Sequence, residues 1–331
     1  MGTELQNDKH TGKFVLWAID PFETNAKPDQ NSAAKLLKWT KLMGYGLQPA
    51  YVLSLLERTN GKFAAEDIPY FTERVEKATR KYLEDLGLTS ARPLELLIAD
   101  SASRKEAIQQ LVDLADRLSS PWIVVSSHGR TGLSRLTFGS FAENLLLQAK
   151  RPILFLSHDK EVDAETETKK VLFPTDFSKN SMVAYRDVLK TAKAAGQEIV
   201  LFYSNNIPAI FYSAFEAPIV IPSDYFETQE RDARAEADIW INLARVMGVP
   251  AKLIFKTDAV VQNIGDTILK VAHDEGINLI SLACATGALT AFAAGSVARD
   301  VFRKSRCPVL VYGPKTFATK QEPSVAKNID A

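Results

Sequence analysis

The strongest constraint on this chain is an internal repeat: an offset of 156 residues brings its two halves into one register. Asp20 falls on Asp176, Gly139-Ser140 on Gly295-Ser296, Ala142 on Ala298 and Pro152 on Pro308. Four landmarks spread over a whole unit are hard to obtain by chance, and a unit of this length can carry its own hydrophobic core. The 331 residues therefore read as two copies of one domain, over 13–157 and 169–314, each with a separate core. A polar, charge-rich linker at 158–168 joins them, and a frayed tail is expected over 315–331.

Each copy alternates short apolar runs with segments of helical spacing. In the first, strands are expected at 14–19, 50–55, 94–98 and 122–125, with helices at 32–43, 70–86 and 105–118. The unit closes with a last strand after a helix in which Ala142, Leu145, Leu146 and Ala149 recur at i, i+3, i+4 and i+7. The second copy repeats the order, with strands at 171–173, 199–203, 252–255, 279–282 and 309–312. Strands separated by helices imply a parallel sheet with right-handed crossovers. The fold class is therefore α/β, two doubly wound, Rossmann-like domains in tandem, which bind ligands at the carboxyl ends of their strands.

Composition removes several function classes. Lys+Arg and Asp+Glu are balanced at 40 each, so no global field draws the chain to nucleic acid or acidic lipid, and any anion site must be local. The apolar runs are far too short to span a membrane. The only two cysteines, Cys284 and Cys307, show neither CxxC nor Cys/His spacing, which argues against a disulfide framework or a zinc site and fits a reducing cytoplasm. His10, His158 and His273 offer no metal-ligand spacing. His128 has no convincing nucleophile and orienting acid beside it, so the residues favour binding over catalysis.

The segment Ser126-Ser127-His128-Gly129-Arg130-Thr131-Gly132, followed by Gly139-Ser140 at the start of an amphipathic helix, carries the most chemistry. Glycines there let the backbone approach a ligand, and free N–H groups at a helix start attract anions. Ser140 can donate a hydroxyl hydrogen bond, while Arg130 and Arg135 add positive charge. The same residues would also serve as a tight turn and a helix cap.

These motifs resemble those of the universal stress proteins, whose G-x2-G-x9-G-[S/T] loop lies between the fourth strand and the last helix. Gly129, nine intervening residues and Gly139-Ser140 match all but the first glycine, where Ser126 stands and adds a Cβ. Val171-Leu172-Phe173-Pro174-Thr175-Asp176 is similar to the family's first strand and its terminal aspartate. Segments 151–155 and 307–311 are similar to its last strand, so the resemblance covers about 13–314, in tandem form. It implies a stress-response protein that binds ATP, with Mg as the accompanying ion. Carried over, it assigns Asp20 to the nucleoside and Gly129, Gly139 and Ser140 to the phosphates, with Ser126, His128, Arg130 and Gly132 in the same loop. It also implies that 153–156 and 309–312 pair within one chain as a pseudo-dimer, with a homodimer as a further association.

The second copy departs from this pattern. At the constant offset Ser126 becomes Leu282, His128 becomes Cys284, Gly129 becomes Ala285, Arg130 becomes Thr286 and Arg135 becomes Ala291. Backbone access and both positive charges disappear together, leaving Asp176, Gly295 and Ser296 as a reduced site, with turn and cap roles as their structural explanation. This copy alone carries an apolar insertion at 207–222, which includes Ile210, Phe211, Tyr212 and Phe215. A packed flap, a lid over an apolar-ligand pocket and a surface for a protein partner each account for it. Besides nucleotide binding, the sequence leaves open a nucleotide-independent adaptor and a slow ATPase without an evident general base.

Overall fold

Val15, Leu16 and Trp17 are all fully buried, yet successive side chains of a strand point to opposite faces, so the strand that carries them is covered on both sides. That strand is β1 (Phe14–Ala18) in the computed structural model, which describes residues 13–22, 30–53, 68–87, 92–99, 104–126, 140–156, 170–206, 225–258, 263–284 and 294–318. The first unit continues with α1 (Gln30–Leu42), β2 (Gly46–Leu53), α2 (Ile68–Asp85), β3 (Glu95–Ile98), α3 (Arg104–Arg117), β4 (Ile123–Ser126), α4 (Ser140–Gln148) and β5 (Ile153–Leu156). The second contains β6 (Lys170–Pro174), α5 (Lys179–Ala195), β7 (Glu198–Asn206), α6 (Tyr225–Val246), β8 (Ala251–Asp258) and α7 (Ile264–Asp274). It closes with β9 (Leu279–Ala283), α8 (Ala294–Lys304), β10 (Val309–Tyr312) and α9 (Pro314–Ala318).

The strands form one ten-stranded sheet in the order β3-β2-β1-β4-β5-β10-β9-β6-β7-β8. Pairing is parallel within each unit and antiparallel where β5 meets β10, so the expected contact between 153–156 and 309–312 is present. Helices cover both faces, and the chain is α/β as its repeat of strands and helices implies.

Separate cores for the two copies are not what forms. The apolar residues divide by sheet face instead of by unit. One layer joins Trp17, Trp122 and Leu154 to Phe173, Tyr185 and Trp240, and the other joins Leu16, Ile123 and Phe155 to Leu172, Ile280 and Val309. Hydrogen bonding between β5 and β10 makes the sheet continuous, so each layer runs across the junction. Phe155 of β5 also meets Phe302 of α8 edge to face, with ring centroids 4.5 Å apart.

Two boundaries differ from expectation for local reasons. β2 begins at Gly46, ahead of the expected 50, and contains Pro49. Proline supplies no ladder N–H, but the pairing with β3 begins only at Ala50, so at Pro49 the strand has an open side. The expected tail from 315 opens with α9, where Thr316 and Phe317 are buried and Phe317 joins the core layer of Trp17. The linker at 158–168, the insertion at 207–222 and the remainder of the tail lie outside the described residues.

The repeat offset is not constant in space. Phe14 pairs with Gly46 and Lys170 with Glu198, so β2 and β7 correspond at 152 residues while β1 and β6 correspond at 156. Leu16 pairs with Ile123 and Leu172 with Ile280, so β4 and β9 correspond at 157. Backbone bonds Ile123 N–H to Pro152 O and Ile280 N–H to Pro308 O confirm this, because the two prolines are 156 apart. The differences fall in the segments that connect these strands.

Candidate functional site

In each unit the chain leaves the first strand toward one neighbour and later returns to fill the other side. The switch point lies between β1 and β4, and between β6 and β9. At such a switch point the connections leave neighbouring strands in opposite directions, and open α/β sheets bind their ligands there, beyond the carboxyl ends of the strands.

Asp20 and Asp176 stand at this edge in matching backbone. Ile19 N–H donates to Ala50 O at 2.9 Å, and its counterpart Thr175 N–H donates to Phe202 O at 2.9 Å. Phe22 N–H donates to Asp20 Oδ1 at 3.0 Å, and Ser178 N–H to Asp176 Oδ1 at 3.0 Å. Each carboxylate thus closes the turn after its strand, the structural role anticipated for Asp176. Ala18 lies opposite Val125 in the β1–β4 pair, so Asp20 and Ser126 leave the sheet at the same end. Ser126 is the last residue of β4 and Ser140 the first of α4. His128, Gly129, Arg130, Gly132 and Gly139 lie outside the described residues. Gly295 and Ser296 fall in the first turn of α8, which begins at Ala294.

The 157-residue correspondence of β4 and β9 changes the comparison of the two loops. Ser126 matches Ala283, not Leu282, and Cys284 matches Ser127, not His128. Between equivalent positions of strand and helix the second copy is one residue shorter, since α4 and α8 return to the offset of 156 in the bonds Ala149 N–H to Leu145 O and Ser305 N–H to Val301 O.

The second unit holds an open cavity of about 430 Å³ at its switch point. Its floor is apolar, built from Phe202, Ile268, Leu282 and Ala298, all buried. Asp176, Thr175, Ser181, Tyr203 and Ser204 supply polar groups. The walls are fixed to each other, because Gly265 packs against Asp300 and Asn263 Nδ2 donates to Asp300 Oδ2 at 2.7 Å. Cys284 also lines the cavity, and burial pushes its thiol up to about 12, so it is an inert neutral group there.

Asp176 is exposed at the mouth of this cavity. Partial burial opposes its ionisation, but the Ser181 hydroxyl, donating to Oδ1 at 2.6 Å, and the Ser178 N–H outweigh it and hold the carboxyl below its usual range. Ser178 also caps α5, its hydroxyl accepting from Ser181 N–H at 3.2 Å. The intervening Phe177 has φ 55°, a left-handed conformation rare for a bulky residue. Its ring stacks on Tyr203, centroids 5.4 Å apart, and meets Trp240 edge to face. Pro21 is its counterpart, and a proline ring forbids that conformation, so the two turns differ despite the shared aspartate bond. Sequence reasoning missed Phe177, Ser181, Tyr203 and Ser204. Only Ser178-x-x-Ser181, a cap pattern, was visible as a signal. Among the described residues, no group of three or more His, Cys, Asp or Glu is placed to hold a metal ion, and no helix is long and apolar enough to cross a membrane.

The universal stress protein family model matches residues 41–157 and 167–313. The first match begins after β1, yet β1 and Asp20 occupy the places that β6 and Asp176 take in the second. Among solved structures, a universal stress protein from Archaeoglobus fulgidus DSM 4304 is similar at 15% identity and TM-score 0.61, covering 89% of this chain and 97% of that one. A functionally unknown protein from Pseudomonas aeruginosa PAO1 is similar at 12% identity and TM-score 0.58, covering 93% and 94%. A universal stress protein in complex with cAMP matches at 16% identity and TM-score 0.33, covering 44% and 97%. No curated protein matches. With the family model found twice and spanning most of both units, the chain belongs to the universal stress protein family, as a tandem member.

Proposed function

We propose that this chain is a stress-response protein that binds an adenine nucleotide, ATP with Mg²⁺, through its first unit, while its second unit has a different role. The supporting observation is the adjacency of β1 and β4, which puts Asp20 and Ser126 at one end of the sheet beside the switch point. A carboxylate suits the hydrogen-bond donors of a nucleoside. Ser140 opens α4, and the first N–H groups of a helix have no partner within it, which suits a phosphate. In this reading Asp20 faces the nucleoside, and Gly129, Gly139 and Ser140 hold the phosphates. Ser126, His128, Arg130 and Gly132 complete the loop, with Arg130 offsetting part of the phosphate charge.

The second unit, with Asp176, Gly295 and Ser296, serves as scaffold and as a surface for a ligand or a protein partner. In this reading the two units form a pseudo-dimer within one chain, which the antiparallel pairing of β5 with β10 supports. The two cysteines are both buried and neither forms a disulfide, which fits a reducing cytoplasm. Calorimetry with ATP and Mg²⁺ on the wild type and on Gly139→Val tests the reading. Saturable binding by the wild type and none by the variant is the expected result, and absence of wild-type binding would leave a nucleotide-independent adaptor.

A further inference from the structure

Because β5 and β10 pair antiparallel, each begins beside the end of the other, and the helix that precedes it ends at the other unit's carboxyl edge. α4 shows this on one side. Its Leu146 O lies so close to Gly313, the residue after β10, that a Cβ at Gly313 would overlap it. α8 shows it on the other, where Phe302 meets Phe155, and the next residue, Leu156, pairs with Ser126 at the end of β4. The last turn of α8 therefore stands at the edge of the first unit that carries Asp20 and Ser126.

Two basic residues occupy that turn, Arg303 and Lys304. Lys304 is paired, its Nζ 2.6 Å from Asp266 Oδ1. Arg303 is partly buried, and its Nε is buried with no hydrogen-bond partner among the described residues. The dipole of α8 favours a cation in its last turn, which accounts for the charge but leaves that donor unmet. A guanidinium held in this way is suited to an anion, and phosphate matches its fork of donors. Counterparts 156 residues apart in α4 and α8 make Leu147 the equivalent of Arg303. Leu147 stands next to the Leu146–Gly313 contact at the second unit's edge, where it is exposed and brings no charge.

We infer that Arg303 of the second unit is a phosphate-binding residue of the first unit's site, reaching across the junction to the outer phosphates of the nucleotide. The inference rests on the reading that the first unit binds ATP, and adds that its site is incomplete without the second unit. A triphosphate keeps negative charge even with Mg²⁺ bound, and Asp20 adds more, so a further cation at this edge has a role to fill. The asymmetry of the units gains a second source: the first receives an arginine across the junction and the second a leucine.

Calorimetry of the full chain tests it, with ATP and Mg²⁺ at low and high salt and with adenosine, on the wild type, Arg303→Gln and Arg303→Lys. Arg303→Gln is expected to weaken ATP about tenfold or more at low salt, to lessen the salt dependence of ATP binding and to leave adenosine unchanged. Arg303→Lys keeps the charge but loses the fork, and should fall between wild type and Arg303→Gln. A substitution that merely disturbed α8 would lower ATP and adenosine binding together and leave the salt dependence as it was. That result, or unchanged ATP affinity in Arg303→Gln, would overturn the inference and leave the nucleotide reading intact. Absence of ATP binding by the wild type would overturn both.

Discussion

Leu154 and Leu310 are backbone partners across the antiparallel junction of β5 and β10, and each is the other's counterpart 156 residues along the chain. On either side Ile153 pairs with Val311, the counterpart of Phe155, and Phe155 pairs with Val309, the counterpart of Ile153. A local two-fold axis therefore passes between the two leucines, the relation that an isologous interface between separate subunits would have. Here both strands belong to one polypeptide.

Both leucines are almost wholly buried in one core layer. Leu154→Ala and Leu310→Ala should each cost about 2–5 kcal/mol. Because opposed strand residues touch, the double variant should depart from the sum of the single ones by about 0.5 kcal/mol or more. Urea unfolding of the four proteins measures this, and strict additivity would count against the junction.

Ser119 at the end of α3 has φ 49°, and the residue in its place after α7 is Gly276, with φ 61°. The bonds around them match: Ser119 N–H to Asp116 O and Ser120 N–H to Ala115 O in one unit, Gly276 N–H to His273 O and Ile277 N–H to Ala272 O in the other. A left-handed residue with a Cβ costs about 1–2 kcal/mol, partly offset by the greater freedom of glycine in the unfolded chain. Ser119→Gly should raise the melting temperature, and Gly276→Ser should lower it.

Phe177 combines the same strain with ring contacts to Tyr203 and Trp240. Removing the ring is destabilising in any variant, but glycine also relieves the backbone. Phe177→Gly should therefore be less destabilising than Phe177→Ala by about 1 kcal/mol, the reverse of their order at an ordinary position. Thermal unfolding of the pair decides it.

Much of the architecture was legible from the chain, and its limits have physical causes. Buried parallel strands such as Val171-Leu172-Phe173 announce themselves as apolar runs, and Asp20 and Asp176 mark where two of them end. A single offset of 156 misplaced Ser126 on Leu282 because loops gain and lose residues freely while strand pairing fixes where they resume. The continuity of both core layers was hidden for another reason: apolar periodicity reports that a face is covered, not which unit covers it. In the second cavity, Ser181 and Ser204 are ordinary serines in sequence, brought to Asp176 only by the turn at Phe177 and the register of β7 with β6.

Asp176 also makes a pH prediction. Its native carboxyl titrates below the ordinary range, so its ionised form stabilises the fold fully above the unfolded value of about 4, and that contribution is lost as pH falls through the lower native value. The stability difference between wild type and Asp176→Asn should be level from pH 8 to 5 and should move in favour of the variant on further acidification. Melting temperatures across that range check the sign, and a difference moving in favour of the wild type in acid would contradict it.

The central claim is an asymmetry: two units of one fold, of which only the first takes a nucleotide. Native mass spectrometry in the presence of ATP and Mg²⁺ counts ligands per chain directly. One ATP per wild-type chain, one in Asp176→Asn and none in Gly139→Val is the predicted pattern. Two per chain, or one retained in Gly139→Val, would contradict it.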